Sequence, residues 1–164
     1  MMEQQKRKDC IVCGNTSIER LNKGVVVYYE CTSCGLLFCK ELNQDGKVGG
    51  EYEVERNEKH NKLRIERVDK MAEGIPKDKV RILDFGCGNG LLIEDLKRSG
   101  YIHVDGYDSY NPKYSRLPDK GSYHIVIMVE TIEHFNRPFF ELDVIHRALT
   151  NNGCVMIETG IIDA

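Results

Sequence analysis

The chain has 164 residues, 41% of them hydrophobic and 30% charged, a balance typical of folded soluble chains that excludes a fibre, a tail or a disordered linker. Its net charge of −3 comes from interleaved acids and bases, so there is no basic stripe of the kind nucleic-acid binders carry, apart from a short cluster at Lys6 to Lys8. No apolar run approaches the roughly 20 residues of a membrane span, and no apolar secretory core stands at the start, so a reducing cytoplasm is the expected compartment.

The first feature along the chain is a pair of knuckles, Cys10-x-x-Cys13 and Cys31-x-x-Cys34, separated by 17 residues. That spacing reads as a four-cysteine zinc site, since each knuckle puts two thiolates on a tight turn and two facing turns complete a tetrahedron. Iron in the same geometry also fits, whereas two disulfides are disfavoured in a reducing compartment. A closed four-thiolate site has no open position, so its expected work is to hold shape. Between the knuckles VVVYYE reads as a strand, and GLLF after Cys34 is a candidate to pair with it. Of the remaining cysteines, Cys87 and Cys154 read as small buried fillers.

A glycine-containing loop, DGKVGGEY, leads to a helix over about residues 57 to 74, with Leu63, Val68, Met71, Ala72 and Ile75 near one face. Beyond it the pattern predicts a strand over 81–85, a helix over 90–98 closed by Gly100, and strands over 102–107 and 124–129. A helix over 138–149 begins at Pro138, and a strand over 154–158 follows the turn NNG. Continuous apolar strands alternating with helices predict an α/β fold with a parallel sheet covered on both faces. The expected domains are 1–45, 46–78 as linker and helix, and 79–164.

The stretch RILDFGCGNGLLIEDL runs from the first of these strands through Gly86, Gly88 and Gly90 into a helix. A dinucleotide fingerprint would require glycine where Leu91 stands, so a nicotinamide or flavin dinucleotide fits poorly. Glycines at alternate positions instead let the backbone approach a ligand at the C-terminal end of the strand. Asp108 lies 20 residues after Gly88 at the end of the second strand, in HVDGYD. A carboxylate there can accept both hydroxyls of an adenosine ribose, although a strand-end turn aspartate, as Asp105 also reads, is the plainer alternative. Downstream, VETIEH offers Glu130, Glu133 and His134. A helical turn after the strand would bring them together as a divalent-ion site or as a base for an acceptor proton. The plainer alternative is loop packing with solvent-facing acids. His60, His103, His124 and His146 have no partner pattern and read as structural.

Asp84-x-Gly86-x-Gly88-x-Gly90, Asp108 and YHIVIMVETIEHF together resemble the class I S-adenosylmethionine-dependent methyltransferases over roughly residues 80 to 160. The resemblance implies a Rossmann-like methyltransferase sheet behind a zinc-ribbon module. It implies that Gly86, Gly88 and Gly90 pass the methionine and ribose part of the cofactor, that Asp108 holds the ribose hydroxyls, and that Asp84 braces the loop and reaches the methionine amino group. The E-x-x-E-H run also resembles two sets within that superfamily: small-molecule methyltransferases, and RNA 3′-terminal 2′-O-methyltransferases in which it supplies magnesium or manganese ligands. Glu133 or His134 is then the candidate base, with Glu130 beside it.

Two departures shape the expectation. Only 14 residues, SYNPKYSRLPDKGS, separate Asp108 from Tyr123, so the family's third strand is reduced to something like YSRLP or is absent, and no adenine-pocket residue is assigned. The hairpin that completes such sheets lies outside these residues, and the uncovered strand edge then favours self-association. The leading expectation is a methyltransferase acting on a small-molecule acceptor. The alternatives are an RNA methyltransferase and a non-catalytic zinc-ribbon binding module.

Overall fold

A computed structural model describes residues 7–22, 27–39, 52–135 and 137–160. The chain divides into two compact units, one built on the cysteine-bearing segment and the other on the α/β sheet.

The first unit is a four-stranded antiparallel sheet of β1 (Arg7–Asp9), β2 (Thr16–Asn22), β3 (Val27–Cys31) and β4 (Leu37–Cys39), paired in that order. In β3 burial alternates along the strand, as a half-buried strand requires. Val27, Tyr29 and Cys31 turn inward to meet Phe38 and Cys10, and the Tyr29 and Phe38 rings lie 6.0 Å apart. This small core buries few side chains, and units of this size usually need a metal or disulfide staple.

The second unit begins with α1 (Tyr52–Met71) and continues through β5 (Arg81–Phe85), α2 (Leu91–Arg98), β6 (His103–Tyr107), β7 (Tyr123–Val129), α3 (Pro138–Ala148) and β8 (Leu149–Glu158). The sheet order is β6-β5-β7-β8 and every pairing is parallel. Period-two alternation assigns its side chains to two cores. Ile82, Ile125, Ile127 and Met156 pack with Val68 and Ala72 of α1 and Leu92, Ile93 and Leu96 of α2. Leu83, Phe85, Val126 and Met128 pack with Ile145 and Ala148 of α3. Both faces are covered, which is why the run from Ile125 to Val129 in β7 is apolar without a break. Among the described residues no helix is long and apolar enough to cross a membrane.

Four expectations are corrected. Helix α1 starts earlier than residue 57, and its buried stripe runs through Asn61, Arg64, Val68 and Ala72, leaving Leu63 48% and Ile75 38% exposed. Val68, Met71 and Ala72 pack as expected, but Asn61 and Arg64 occupy the inner face where the apolar pattern had placed Leu63. The third strand is absent: residues 108–122 contain no strand, only a 3₁₀ turn at Pro112–Tyr114. Pro112 and Pro118 lack the N–H that a ladder needs. The NNG segment is not a turn before the last strand but lies within β8. There Tyr123 pairs with Leu149 and Ile125 with Cys154, so the residues between are looped out of register. Finally, Cys154 is exposed rather than buried, because β8 is an outer strand.

Candidate functional site

The four knuckle cysteines converge: Cys10, Cys13, Cys31 and Cys34 place their sulfurs within 4.8 Å of one another. The Cys10–Cys34 and Cys13–Cys31 Sγ separations are 3.7 and 3.4 Å. A tetrahedron with metal–sulfur bonds of about 2.3 Å has edges of about 3.8 Å, so the cluster is already close to the size of a metal site. The knuckles match bond for bond. The Val12 and Cys13 N–H groups donate to Cys10 Sγ at 3.4 and 3.5 Å, and the Ser33 and Cys34 N–H groups donate to Cys31 Sγ at the same distances. Gly14 and Gly35, at φ 71° and 72°, close the two turns through N–H bonds to the Cys10 and Cys31 carbonyls. The Cys34 and Ser33 N–H groups pull the Cys31 thiol down to about 6, while burial and the neighbouring sulfurs push Cys34 up to about 12, the opposed shifts of thiols crowded into one cluster.

In the α/β unit the polar groups gather at the C-terminal ends of β5, β6 and β7. Past β5 the chain turns so that the N–H groups of Gly86 and Cys87 both donate to the Tyr107 carbonyl, at 2.7 and 3.1 Å. A Cβ on Gly86 would overlap the Thr131 side chain, and one on Gly90 would overlap the Tyr114 phenol. Gly88 differs: at φ 53° a Cβ there would meet nothing within 4 Å. The first and third glycines therefore let neighbouring side chains close over the turn, while the middle one faces open space.

Asp108 sits beside that opening. Its Oδ2 accepts the Gly88 N–H at 2.8 Å, and its Oδ1 accepts the N–H groups of Tyr110 and Asn111 at 2.8 and 3.1 Å. Asn111 ties the two loops together again, donating from Nδ2 to the Gly88 carbonyl at 2.7 Å. Asp84 is 3% exposed. Burial pushes it up to about 7, with the Arg64 charge opposing and the Asp108 charge assisting. Cys87 is pushed up to about 12, by burial first and then by the Asp84 and Asp108 charges, so its thiol stays protonated.

Arg64 is the feature that sequence reading missed. It is 7% exposed, donates from Nε and Nη2 to Glu158 Oε1 at 3.1 and 2.5 Å, and from Nη1 to Asn61 Oδ1 at 2.8 Å. Asn61 in turn donates to Asp95 of α2 at 2.7 Å, and Arg67 reaches Glu158 Oε2 at 2.8 Å. A polar chain thus joins α1, α2 and the end of β8. Its signal in the sequence was the i, i+3, i+7 spacing of Asn61, Arg64 and Val68, readable only once a buried polar stripe is admitted.

Beyond β7 the expected 3₁₀ turn forms at Ile132–His134. Glu130 adopts φ 47°, an uncommon conformation outside glycine, and its N–H donates to the Glu158 carbonyl at 2.8 Å. Burial and a hydrogen bond with Glu133 raise its carboxyl above the ordinary range. Glu133 and His134 are exposed. Among the described residues only the four cysteines bring three or more ligand atoms within 4.8 Å of one another. The turn therefore joins the two glutamates but does not assemble Glu130, Glu133 and His134 into a magnesium or manganese site. His124 is structural, accepting the Arg81 N–H on Nδ1 at 3.0 Å.

A family model described as "Methyltransferase domain" matches residues 50–163. Among curated proteins, a ubiquinone biosynthesis O-methyltransferase of Acinetobacter baumannii is 29% identical over 101 residues, covering 48% of this chain and 42% of that protein. The protein of the same name from Acinetobacter baylyi is 30% identical over 101 residues with the same coverage. The chain thus spans less than half the length of the curated relatives it matches. Among solved structures, a SAM-dependent methyltransferase from Thermotoga maritima, titled a possible histamine N-methyltransferase, aligns over 65% of this chain and 58% of its own. The identity is 19% and the TM-score 0.36.

Proposed function

The chain belongs to the methyltransferase-domain family, and from that premise we propose that it transfers the methyl group of S-adenosylmethionine to a small-molecule acceptor. The observation that carries the reading is the open space at Gly88, flanked by Asp108 and by the buried Asp84 carboxylate. A phosphate-bearing dinucleotide would meet two acidic side chains there, whereas a sulfonium nucleoside with a free ammonium group would find complementary charge. Bound there, the cofactor supplies an electrophilic methyl group.

The chain's own residues then divide the work. Gly88 admits the cofactor to the backbone while Gly86 and Gly90 let Thr131 and Tyr114 close over the turn, Asp108 accepts from the ribose, and Asp84 receives the ammonium group, which favours its ionised form. Burial and the neighbouring Glu133 carboxyl raise Glu130 above the ordinary carboxylate range, and the pair lies where a base could take the acceptor's proton. His134 is the neighbouring alternative base. Alignment and desolvation supply the remainder of the rate. Residues 1–45 form a ribbon domain holding one structural zinc on Cys10, Cys13, Cys31 and Cys34, residues 46–78 a linker and helix, and 79–164 the cofactor domain. Free thiols throughout the described cysteines fit a reducing, cytoplasmic setting.

The small-molecule acceptor is supported by the relatives named for ubiquinone biosynthesis and by a net charge of −3, which disfavours a phosphate-tracking surface. Calorimetry of the chain with S-adenosylmethionine, S-adenosylhomocysteine and NAD tests the cofactor reading. Micromolar binding of the two sulfur ligands alone is expected, and a folded sample that binds neither, or binds NAD equally, refutes it.

A further inference from the structure

The sequence suggested that Asp108 accepts both ribose hydroxyls, but the hydrogen bonds already made by its carboxylate leave too little room. An ionised carboxylate has about four lone-pair sites, two on each oxygen. Oδ1 uses both of its sites, on the Tyr110 and Asn111 N–H groups at 2.8 and 3.1 Å. Oδ2 uses one, on the Gly88 N–H at 2.8 Å. A single site, on Oδ2, remains.

The carboxylate is not free to turn and offer more. The Asp108 N–H donates to the Tyr114 carbonyl at 2.9 Å and the Tyr114 N–H donates to the Asn111 carbonyl at 2.9 Å. Asn111 Oδ1 accepts the Lys113 N–H at 3.0 Å while its Nδ2 holds the Gly88 carbonyl at 2.7 Å. Pro112 stiffens the middle of this turn. The turn occupies the place of the third strand, and in doing so it uses three-quarters of the acceptor capacity of Asp108. Releasing the Gly88 N–H to make room would uncouple the glycine turn from the Asp108 loop on one side while Asn111 still held it on the other.

We infer that Asp108 reads one ribose hydroxyl, through Oδ2, and leaves the second to water or backbone, so that the site accepts nucleosides altered at one ribose position. The inference rests on the cofactor reading above and sharpens it. Asp108 is thereby a specificity-determining residue.

The test is calorimetry of the unmodified chain with S-adenosylhomocysteine, its 2′-deoxy analogue and its 3′-deoxy analogue. Removing the hydroxyl that meets Oδ2 should weaken binding about tenfold or more, the scale of a hydrogen bond to a charged group. Removing the other should change it by less than about threefold. Losses of about tenfold or more for both analogues would mean a two-hydroxyl grip and overturn the inference while leaving the cofactor reading intact. Full affinity for both would overturn it by removing Asp108 from the ribose. Failure of S-adenosylhomocysteine itself to bind the folded chain would defeat the cofactor reading, and this inference with it.

Discussion

Substituting Asp84→Asn removes one ionisable group while keeping its shape, and the structure sets the size of the effect. Burial lifts Asp84 from its ordinary 3.8 to about 7, so in the cofactor-free protein it holds a proton that the unfolded chain has already released. The folded state then binds more protons than the unfolded one across this window, and stability falls as pH rises through it. About three pH units at about 1.36 kcal/mol each give ~4 kcal/mol as the full cost of ionising the group, reached only above pH 7. Urea unfolding of both proteins from about pH 4 to pH 8 measures it. The stability of Asp84→Asn relative to the parent should be constant below about pH 4, grow between about 4 and 7, and level off above. A difference that stays flat across the range would refute the claim that the fold holds Asp84 neutral. The cofactor should reverse the sign, because an ammonium group favours the ionised form. Binding of S-adenosylhomocysteine below pH 7 should therefore release a proton, seen as a dependence of the calorimetric heat on the buffer.

Arg64→Ala should destabilise the α/β unit by ~2–3 kcal/mol, at the low side for breaking a buried ion pair because Glu158 keeps Arg67 and some hydration; denaturant melts check this, and a loss below about 1 kcal/mol would mean the network is slack. Gly86→Ala should cost at least ~1–2 kcal/mol, since it combines a left-handed backbone with overlap on Thr131. A thermal midpoint equal to the parent's would show that the loop carrying Thr131 yields freely. Freshly purified, fully reduced protein should contain one zinc per chain by elemental analysis, and Cys31→Ser should lose it; neither zinc nor iron in the parent would defeat the metal reading.

The strands β5, β6 and β7 and helix α2 were legible because each has one dominant demand, a face or both faces buried, and an apolar pattern that answers it. The knuckles were legible because metal spacing is local. Helix α1 was only half legible. Its inner face carries Asn61 and Arg64, whose burial is offset by Glu158 and Asp95, residues too distant in sequence for a periodicity argument to reach. β1 and β2 escaped notice because half-exposed strands such as TSIERLN have no strong alternation. The crowding of Asp108 was hidden for another reason: its donors are main-chain N–H groups, which every sequence supplies and only a fold aims.

The matched knuckles of the ribbon also have a consequence for assembly. Each makes its N–H to sulfur hydrogen bonds within a few residues of its own cysteines, so those bonds can form before the chain between the knuckles is organised. The long closure, across the 18 residues from Cys13 to Cys31, is then made once, and its entropic cost grows only with the logarithm of the length. During synthesis the first knuckle leaves the ribosome before the second. The ribbon's closing contacts, Cys10 with Cys34 and Cys13 with Cys31, therefore wait for the second pair to emerge.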